Sequence, residues 1–393
     1  MNNLSLKLNQ HFYIVVFFAV ALFFYGLLYA FNVQTDIQKH IEFAGAMLQG
    51  TNFPPTFLYF AAISIFALFQ NDYNSLLFAS LIVLSFAVAF KFHITARLFA
   101  KKTDLSKTFS KDKVYLISNI VGVCLITVFC IYLPKELGLT THFLIGQIPP
   151  NIWSNSTTIF LMPFAILLFW HSYILLEKFE MKDFWMVLVM IFLNIVTKPN
   201  FFLCFVAVFP LMALIRYRLN KEFFLCLIPP FFGFALIILE YFAIYRLGTY
   251  GYGDPGESGV TIAPLVWWRL YATNIPVSIL ISAAFPLVYL LFYFKRVKEE
   301  PFLYYAYLLF AVGVAILVFF GETGPRESHG NFQWQAMVSN YILFFAVAID
   351  FVRVFLQTRA LNLKDKIIVA VFALHLFSGW LYLAKTLIRG NYG

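Results

Sequence analysis

Charged residues are scarce in this chain. Asp, Glu, Lys and Arg make up only 12% of the 393 residues, whereas 62% are hydrophobic, including 50 Phe and 22 Tyr. A soluble domain typically has roughly 25% charged and roughly 45–50% apolar residues, so a soluble globular fold is excluded. Apolar runs long enough for a ~30 Å hydrocarbon core recur along the whole chain. The sequence therefore predicts an all-α, polytopic transmembrane helical bundle that forms a single domain over residues 1–393.

Cysteine is also scarce, and the basic residues are not arranged as a nucleic-acid surface. The four cysteines lie in apolar runs and show neither a disulfide framework nor zinc-ligand spacing. The net charge of +9 comes from Lys and Arg in short loops between apolar runs, as the positive-inside rule expects. We expect no nucleic-acid partner and no cofactor. A divalent cation held by Asp36 and His40 is an alternative that the sequence leaves open.

The basic loops predict how the chain crosses the membrane. Lys7 precedes the first apolar run, which is too long for a signal peptide, so we expect an uncleaved first span and a cytoplasmic N-terminus. Residues 91–113 contain seven Lys and Arg and are expected on the cytoplasmic side. Only one crossing then fits between residues 32 and 91. The fourteen-residue run 56–69 is too short for an ordinary span, so we interpret it as a re-entrant or interfacial helix on the outer face.

The remaining runs alternate, which gives about eleven predicted spans. The segments expected on the outer side include a first loop with juxtamembrane helices at 32–74, a loop at 134–154, a Gly-rich loop at 247–273 and a loop at 321–335. The predicted spans are 12–31, 75–99, 114–133, 155–177, 184–197, 200–216, 223–246, 274–294, 302–320, 336–353 and 366–386.

The first outer segment contains an unusual cluster of ionisable residues. Four of the eight residues from Asp36 to Phe43 can carry a charge. A helix that begins near Thr35 places Asp36 and His40 on one stripe and an apolar stripe beside it, which suits a helix lying on the membrane surface. A simpler interpretation is that Asp36 only caps this helix.

Cations on the outer side are rare, so each is a candidate for binding an anion. Lys198 lies in Val196-Thr197-Lys198-Pro199-Asn200, where a buried ammonium is costly unless it is paired. It could extend to the headgroups or hold a lipid phosphate. Arg326, in the 321–335 loop, could bind a phosphate through two parallel hydrogen bonds. The same loop contains three further candidates, namely Glu322, His329 and Trp334, although a merely solvated loop is the alternative.

The Gly-rich segment 247–273 contains Asp254 and Arg269 but does not match a phosphate-binding P-loop, because no Gly-Lys-Ser/Thr follows its glycines. We interpret it as a mobile lid or an acceptor contact. Arg269 follows two tryptophans, a pattern that is also typical of an interfacial aromatic belt.

One group of residues resembles a known family. Asp36-x-x-x-His40-Ile41-x-Phe43-Ala44 follows a first span and is succeeded by Gly50 and by Pro54-Pro55-x-Phe57-x-Tyr59 before a short outer helix. This arrangement resembles membrane glycosyltransferases of the GT-C fold. Many of those enzymes have two adjacent acids at this position, whereas here only Asp36 is present, preceded by Thr35.

The resemblance implies a GT-C-like fold and transfer of a sugar from polyprenyl phosphate to a lipid-linked or surface glycan acceptor. It further implies a bacterial inner-membrane location, with the active site facing the periplasm, and acceptors of the O-antigen or lipopolysaccharide type. The residues that it assigns are Asp36 as the catalytic base; Lys198, Arg326, Arg269 and His329 at the donor phosphate; and His40, Glu322, Trp334 and Asp254 at the sugar or acceptor. Two other functions stay open: an O-antigen polymerase or ligase, and a flippase or transporter of lipid-linked glycans.

Overall fold

A computed structural model describes residues 9–134, 137–139, 146–247, 259–358 and 360–389, without the side chains of Trp267, Pro325, Ser328 and Arg389. Over these residues the chain is a bundle of α-helices with one small pair of strands. Nine helices in the described ranges are long and apolar enough to cross a membrane, which confirms the predicted transmembrane character.

The helices follow the predicted spans closely. The first predicted span is α1 (Phe12–Tyr25), which is extended by one wider turn over Gly26–Ala30. The two helices of the first outer segment are α2 (Asp36–Leu48) and α3 (Leu58–Phe66). The others are α4 (Tyr73–Thr103), α5 (Lys111–Thr127), α6 (Ser156–Glu177), α7 (Met181–Thr197), α8 (Asn200–Tyr217), α9 (Lys221–Tyr245), α10 (Val266–Tyr271), α11 (Ile275–Glu299), α12 (Pro301–Phe319), α13 (Trp334–Thr358) and α14 (Leu363–Arg389).

Helix lengths explain why the number of long helices is smaller than eleven. Helices α5 and α7 coincide with predicted spans but have 17 residues each, about 25 Å at the usual rise. Helix α3 has only 9 residues, about 13 Å, and is far shorter than the hydrocarbon core. The prediction of eleven spans thus stays a prediction, with the two 17-residue helices as its additional members.

Helix α13 is the centre of the bundle. Every residue from Trp334 to Asp350 is buried, so this helix is enclosed on all sides by its neighbours. A first hydrophobic cluster surrounds α13 and joins it to α6, α8 and α12. A second cluster joins α1, α2, α3 and α4. The short helices α2 and α3 are thereby fixed to the bundle by buried apolar side chains such as Ile37, Ile41 and Tyr59.

The segment between α5 and α6 differs from its prediction. The third span was expected as a helix to residue 133, but α5 ends at Thr127 and the chain continues without regular structure to residue 134. Residues 146–154, the described C-terminal part of the predicted outer loop 134–154, are buried within the bundle, whereas a loop is expected to be exposed. Their backbone and side chains find partners on other helices: Ile148 N donates to Ser282 Oγ at 3.0 Å, and Asn340 donates to the Ile148 carbonyl at 2.8 Å.

The position of Lys91 also differs from the one expected for a residue of the basic stretch 91–113. It is buried within α4, where its ammonium donates to Asn151 Oδ1 at 2.6 Å and lies 3.8 Å from the centre of the Tyr341 ring. Helix α4 is 31 residues long, about 46 Å, so its nineteenth residue is still inside the bundle. Lys91 is thus not a surface cation, and the charged stretch effectively begins at Arg97.

Two outer loops of the prediction are joined by a pair of short strands. β1 (Gly259–Ile262) pairs antiparallel with β2 (Phe320–Thr323), with Val260 opposite Glu322. These strands were not predicted from the sequence. They tie the end of the Gly-rich segment, whose residues 248–258 are outside the described ranges, to the segment that contains Arg326.

Candidate functional site

A cavity of about 710 Å³ lies at one end of the bundle, and we call it the Asp36 cavity. It is formed by the start of α2, the start of α6, the turn between α7 and α8, the end of α9 and the segment after β2. A volume in this range suits a small-molecule site. The polar part of its wall consists of Asp36, Lys39, His40, Thr56, Asn155, Thr157, Thr197, Lys198, Asn200, Glu240, Glu322, Arg326, His329 and Asn331.

Asp36 and Lys198 are connected through one amide side chain. Asn155 donates from Nδ2 to Asp36 Oδ2 at 2.7 Å, and its Oδ1 accepts from Lys198 Nζ at 3.0 Å. Asn155 is itself the N-cap of α6, since its Oδ1 accepts from the Thr158 backbone at 3.0 Å. The carboxylate and the ammonium are therefore held on either side of a rigid helix start, close enough to act on one ligand.

Asp36 does not cap α2, although a capping role was the simpler interpretation of the sequence. Thr35 is the N-cap: its hydroxyl accepts from Ile37 N at 3.0 Å, and Gln38 reaches back to Thr35 N at 2.8 Å in a capping box. Because Thr35 and Gln38 satisfy the helix start, the Asp36 carboxylate is turned toward Asn155 and the cavity. Asp36 is an exposed residue in the wall of the cavity.

Lys198 lies in the turn between α7 and α8, where Pro199 is the N-cap of α8. Its ammonium also donates to Thr157 Oγ1 at 3.1 Å and lies 4.5 Å from the centre of the Trp334 ring. Burial lowers the pKa of Lys198 to about 7, although the Asp36 carboxylate opposes this shift. A bound anion would oppose the effect of burial and raise the pKa of Lys198 again.

A second cation, Arg326, faces the same cavity from the segment after β2. Its Nε donates to Glu322 Oε1 at 2.7 Å, and both side chains are buried. Tyr245 at the end of α9 donates to Glu322 Oε1, and Asn331 donates to Glu322 Oε2. Three donors thus converge on the Glu322 carboxylate, and its main effect is to orient Arg326.

The pKa values of the two histidines of the cavity are both lowered. His40 Nδ1 is within hydrogen-bond distance of Ser156 Oγ. Burial lowers the pKa of His40 to about 3, and the charges of Lys198 and Lys39 add to the effect. Burial, followed by the Arg326 charge, lowers the pKa of His329. Among the described residues no group of three His, Cys, Asp or Glu side chains is placed to hold a metal ion, so the Asp36 and His40 pair lacks a third ligand of these types.

The remaining wall of the cavity is apolar. It contains Leu203 of α8, Ile237 and Ile244 of α9, Ile316 of α12 and Phe332. Helices α9 and α12 both pack on α8, so this wall occupies the space between them. The opposite face of α9 carries exposed Phe231, Phe234, Leu239 and Phe242. Helix α9 is thus apolar both toward the cavity and on its exposed face.

Glu240 of α9 is a buried acid at the border between the two walls. Its Oε2 has no hydrogen-bond partner among the described residues. The carboxyl group of Glu240 lies near Arg326, which identifies it as a further member of the charged cluster.

The structure brings together most of the residues that the sequence singled out. Arg269 is an exposed residue of α10 that does not line the cavity, and Asp254 lies outside the described residues. Seven predicted residues share the wall, namely Asp36, His40, Lys198, Glu322, Arg326, His329 and Trp334.

Sequence reasoning missed Asn155, Thr157, Tyr245 and Asn331. One signal was present in the sequence: Asn155-Ser156-Thr157-Thr158 begins a long apolar helix with an N-cap residue and a run of hydroxyl side chains, all of which are buried. Such a polar start has no reason to be buried unless it faces a site. For Tyr245 and Asn331 we find no comparable signal, since their contact with Glu322 depends on tertiary packing.

Neither the models of known protein families nor the sequences of curated proteins match this chain, so the cavity itself is the basis for a functional proposal.

Proposed function

We propose that this protein is a membrane glycosyltransferase that transfers a sugar from a polyprenyl phosphate carrier to a glycan or glycolipid acceptor. The observation that supports this proposal best is the convergence of Asp36, Lys198 and Arg326 on one cavity with an apolar side wall. An activated lipid-linked sugar needs a base for the acceptor hydroxyl, cations for the departing phosphate and an apolar surface for the lipid chain. The Asp36 cavity offers all three.

In the proposed reaction the acceptor oxygen forms a bond to the anomeric carbon of the sugar, while its proton passes to the Asp36 carboxylate. The bond between the anomeric carbon and the phosphate oxygen breaks, and that oxygen keeps the electron pair. Lys198 and Arg326 stabilise the negative charge that develops on the phosphate. Attack from the side opposite the phosphate inverts the anomeric centre.

In the proposed reaction Asn155 and Glu322 hold the charged groups of the site in position. Asn155 holds the base and the ammonium about one side chain apart, and Glu322 fixes the guanidinium of Arg326. Groups that are already in position lose little free energy to reorganisation when charge develops. Trp334, beside Lys198, offers a flat face to a sugar ring.

The lipid chain is proposed to lie against the apolar wall between α9 and α12. Polyprenyl chains are long, so a site that is open toward the bilayer suits them better than an enclosed pocket. The exposed phenylalanines of α9 suit a helix in contact with lipid.

We further propose that the chain spans the membrane eleven times, with α5 and α7 among the spans, and that the Asp36 cavity faces the outside of the cell. In this orientation the basic residues from Arg97 to Lys113 are cytoplasmic, as the positive-inside rule favours. The location would be the bacterial inner membrane, with a GT-C-like arrangement of the bundle and acceptors of the O-antigen or other surface-polysaccharide type.

Mass spectrometry of surface glycans tests the class of function. Cells that express the wild-type chain are compared with cells that lack it and with cells that express Asp36→Asn. We expect one side-branch sugar to disappear in the second and third samples. Shortened glycan chains would instead indicate a polymerase or ligase, and accumulation of a lipid-linked precursor alone would indicate a flippase; either result would overturn the proposal.

A further inference from the structure

A second cavity, of about 450 Å³, lies far from the first, and we call it the Arg97 cavity. It is formed by the start of α1, the C-terminal part of α4 and the start of α5. Helix α4 runs from Tyr73, near α2 and α3, to Thr103, about 46 Å further on. The two cavities are therefore at opposite ends of the bundle.

The charged groups of the Arg97 cavity are all basic. Arg97 and Lys111 line it together with His93, and no acidic side chain is among its lining residues in the described part of the chain. Asp112 does not line the cavity but lies at its edge, where its carboxylate accepts from the lining residue Asn9 at 3.0 Å, and Asp104 pairs with Lys107 at 3.0 Å. A cavity whose charges have one sign favours a ligand of the opposite sign.

The uncharged lining is suited to a phosphate with an attached apolar group. Ser106 and Asn119 add polar groups that can donate hydrogen bonds, whereas Phe92, Tyr13 and Val114 give it an apolar side. Helices α1 and α5 both pack on α4, so the cavity lies in the groove between them. The outward faces of these two helices carry exposed Phe18 and Leu116, as expected of surfaces that contact lipid chains.

We propose that the Arg97 cavity binds the phosphate of an anionic phospholipid, with Arg97 and Lys111 as its ligands and the acyl chains in the groove between α1 and α5. This site is independent of the proposed sugar transfer, because it shares no lining residue with the Asp36 cavity. A guanidinium and an ammonium together recognise a phosphate through charge-assisted hydrogen bonds.

Native mass spectrometry of the detergent-purified full chain tests the site. Dioleoyl phosphatidylglycerol is compared with dioleoyl phosphatidylcholine, which has the same acyl chains but no net charge. We expect the wild type to prefer phosphatidylglycerol, and Arg97→Gln with Lys111→Gln to weaken its binding by about tenfold or more. The matched control is Arg218→Gln with Lys221→Gln, which removes two exposed cations outside both cavities and should change binding by less than about twofold.

Two further arms separate the possible outcomes. Ser106→Glu places a carboxylate at an exposed lining position and keeps both cations. It should weaken phosphatidylglycerol binding by charge repulsion. This variant tests the proposal if the double variant does not fold. Glycerol phosphate should not displace the lipid. Undiminished phosphatidylglycerol binding by Ser106→Glu and the double variant, or displacement by glycerol phosphate, would overturn the proposal.

Discussion

The two ends of this bundle differ in the signs of charge that they collect. The Asp36 cavity combines acids and cations linked by hydrogen bonds, directly for Glu322 and Arg326 and through one amide for Asp36 and Lys198. The Arg97 cavity is lined by basic residues without an acid among its described lining residues. A carboxylate beside cations can move a proton while an anion leaves, but cations alone can only hold an anion. The comparison therefore suggests chemistry at the first end and binding at the second.

The strongest test of this contrast is the loss of the carboxylate. We expect Asp36→Asn to lower kcat by about 10²–10⁴-fold, because the acceptor hydroxyl loses its general base. The amide keeps the size of the side chain, but the pKa of Lys198 falls further without the carboxylate, so donor binding should weaken at neutral pH and change less at lower pH. Steady-state transfer from a synthetic polyprenyl phosphate sugar measures both quantities.

Glu42→Gln is the matched control for Asp36→Asn. Glu42 is an exposed acid on the same helix, and it does not line the cavity. Its variant should keep wild-type kcat within about twofold, as expected of a surface substitution. Equal losses in the two variants would show that the effect comes from the helix rather than from the base.

The second expected effect concerns Lys198. Lys198→Met should lower kcat/KM by about 10²–10³-fold, since one of the two cations at the departing phosphate is lost. Lys198→Arg keeps a charge and should recover part of the activity, although its planar group cannot reproduce the contacts to Asn155 and Thr157. If Lys198→Met transfers sugar as fast as the wild type, the phosphate is bound elsewhere.

The third effect is smaller and concerns the orientation of Arg326. Glu322→Gln removes the charge that pairs with Arg326 but keeps acceptors for part of the network. We expect KM for the lipid donor to rise by about tenfold and kcat to fall less, because a misplaced guanidinium weakens binding of the phosphate. The same kinetic assay separates these two parameters.

The smallest expected effect on sugar transfer comes from substitutions in the Arg97 cavity. Arg97→Gln with Lys111→Gln should leave sugar transfer in detergent within about twofold of the wild type, because these cations are far from the reacting atoms. A large loss of transfer would show that the two cavities are coupled and would remove the distinction between them.

The sequence was sufficient for the helices because their signal is local. Runs of apolar residues mark nearly every long helix to within a few residues, and the Thr35 to Gln38 spacing is a readable capping box. Many site residues were also found, because an ionisable group such as Asp36 or Lys198 is conspicuous among so many apolar residues.

The parts that the sequence did not predict depend on long-range contacts. The buried segment 146–154 has the composition of a loop, and only its bonds to Ser282 and Asn340 make a place for it inside the bundle. The sequence around Lys91 is typical of a surface cation, and only the fold brings Asn151 and Tyr341 beside it. The pairing of β1 with β2 joins residues about sixty positions apart, so no short turn sequence between the strands predicts it.

The most direct test of the proposed phosphate site is the pH dependence of polyprenyl phosphate binding to the full chain. Burial lowers the pKa of Lys198 to about 7, and a bound phosphate would raise it again. Above pH 7 the phosphate monoester keeps its charge while the free lysine loses its proton, so binding must take up a proton. We predict that wild-type affinity falls by up to about tenfold per pH unit between pH 7 and 9, whereas Lys198→Arg is nearly flat. A wild-type affinity that stays constant over this range and is shared by Lys198→Met would contradict the assignment of Lys198 to the phosphate.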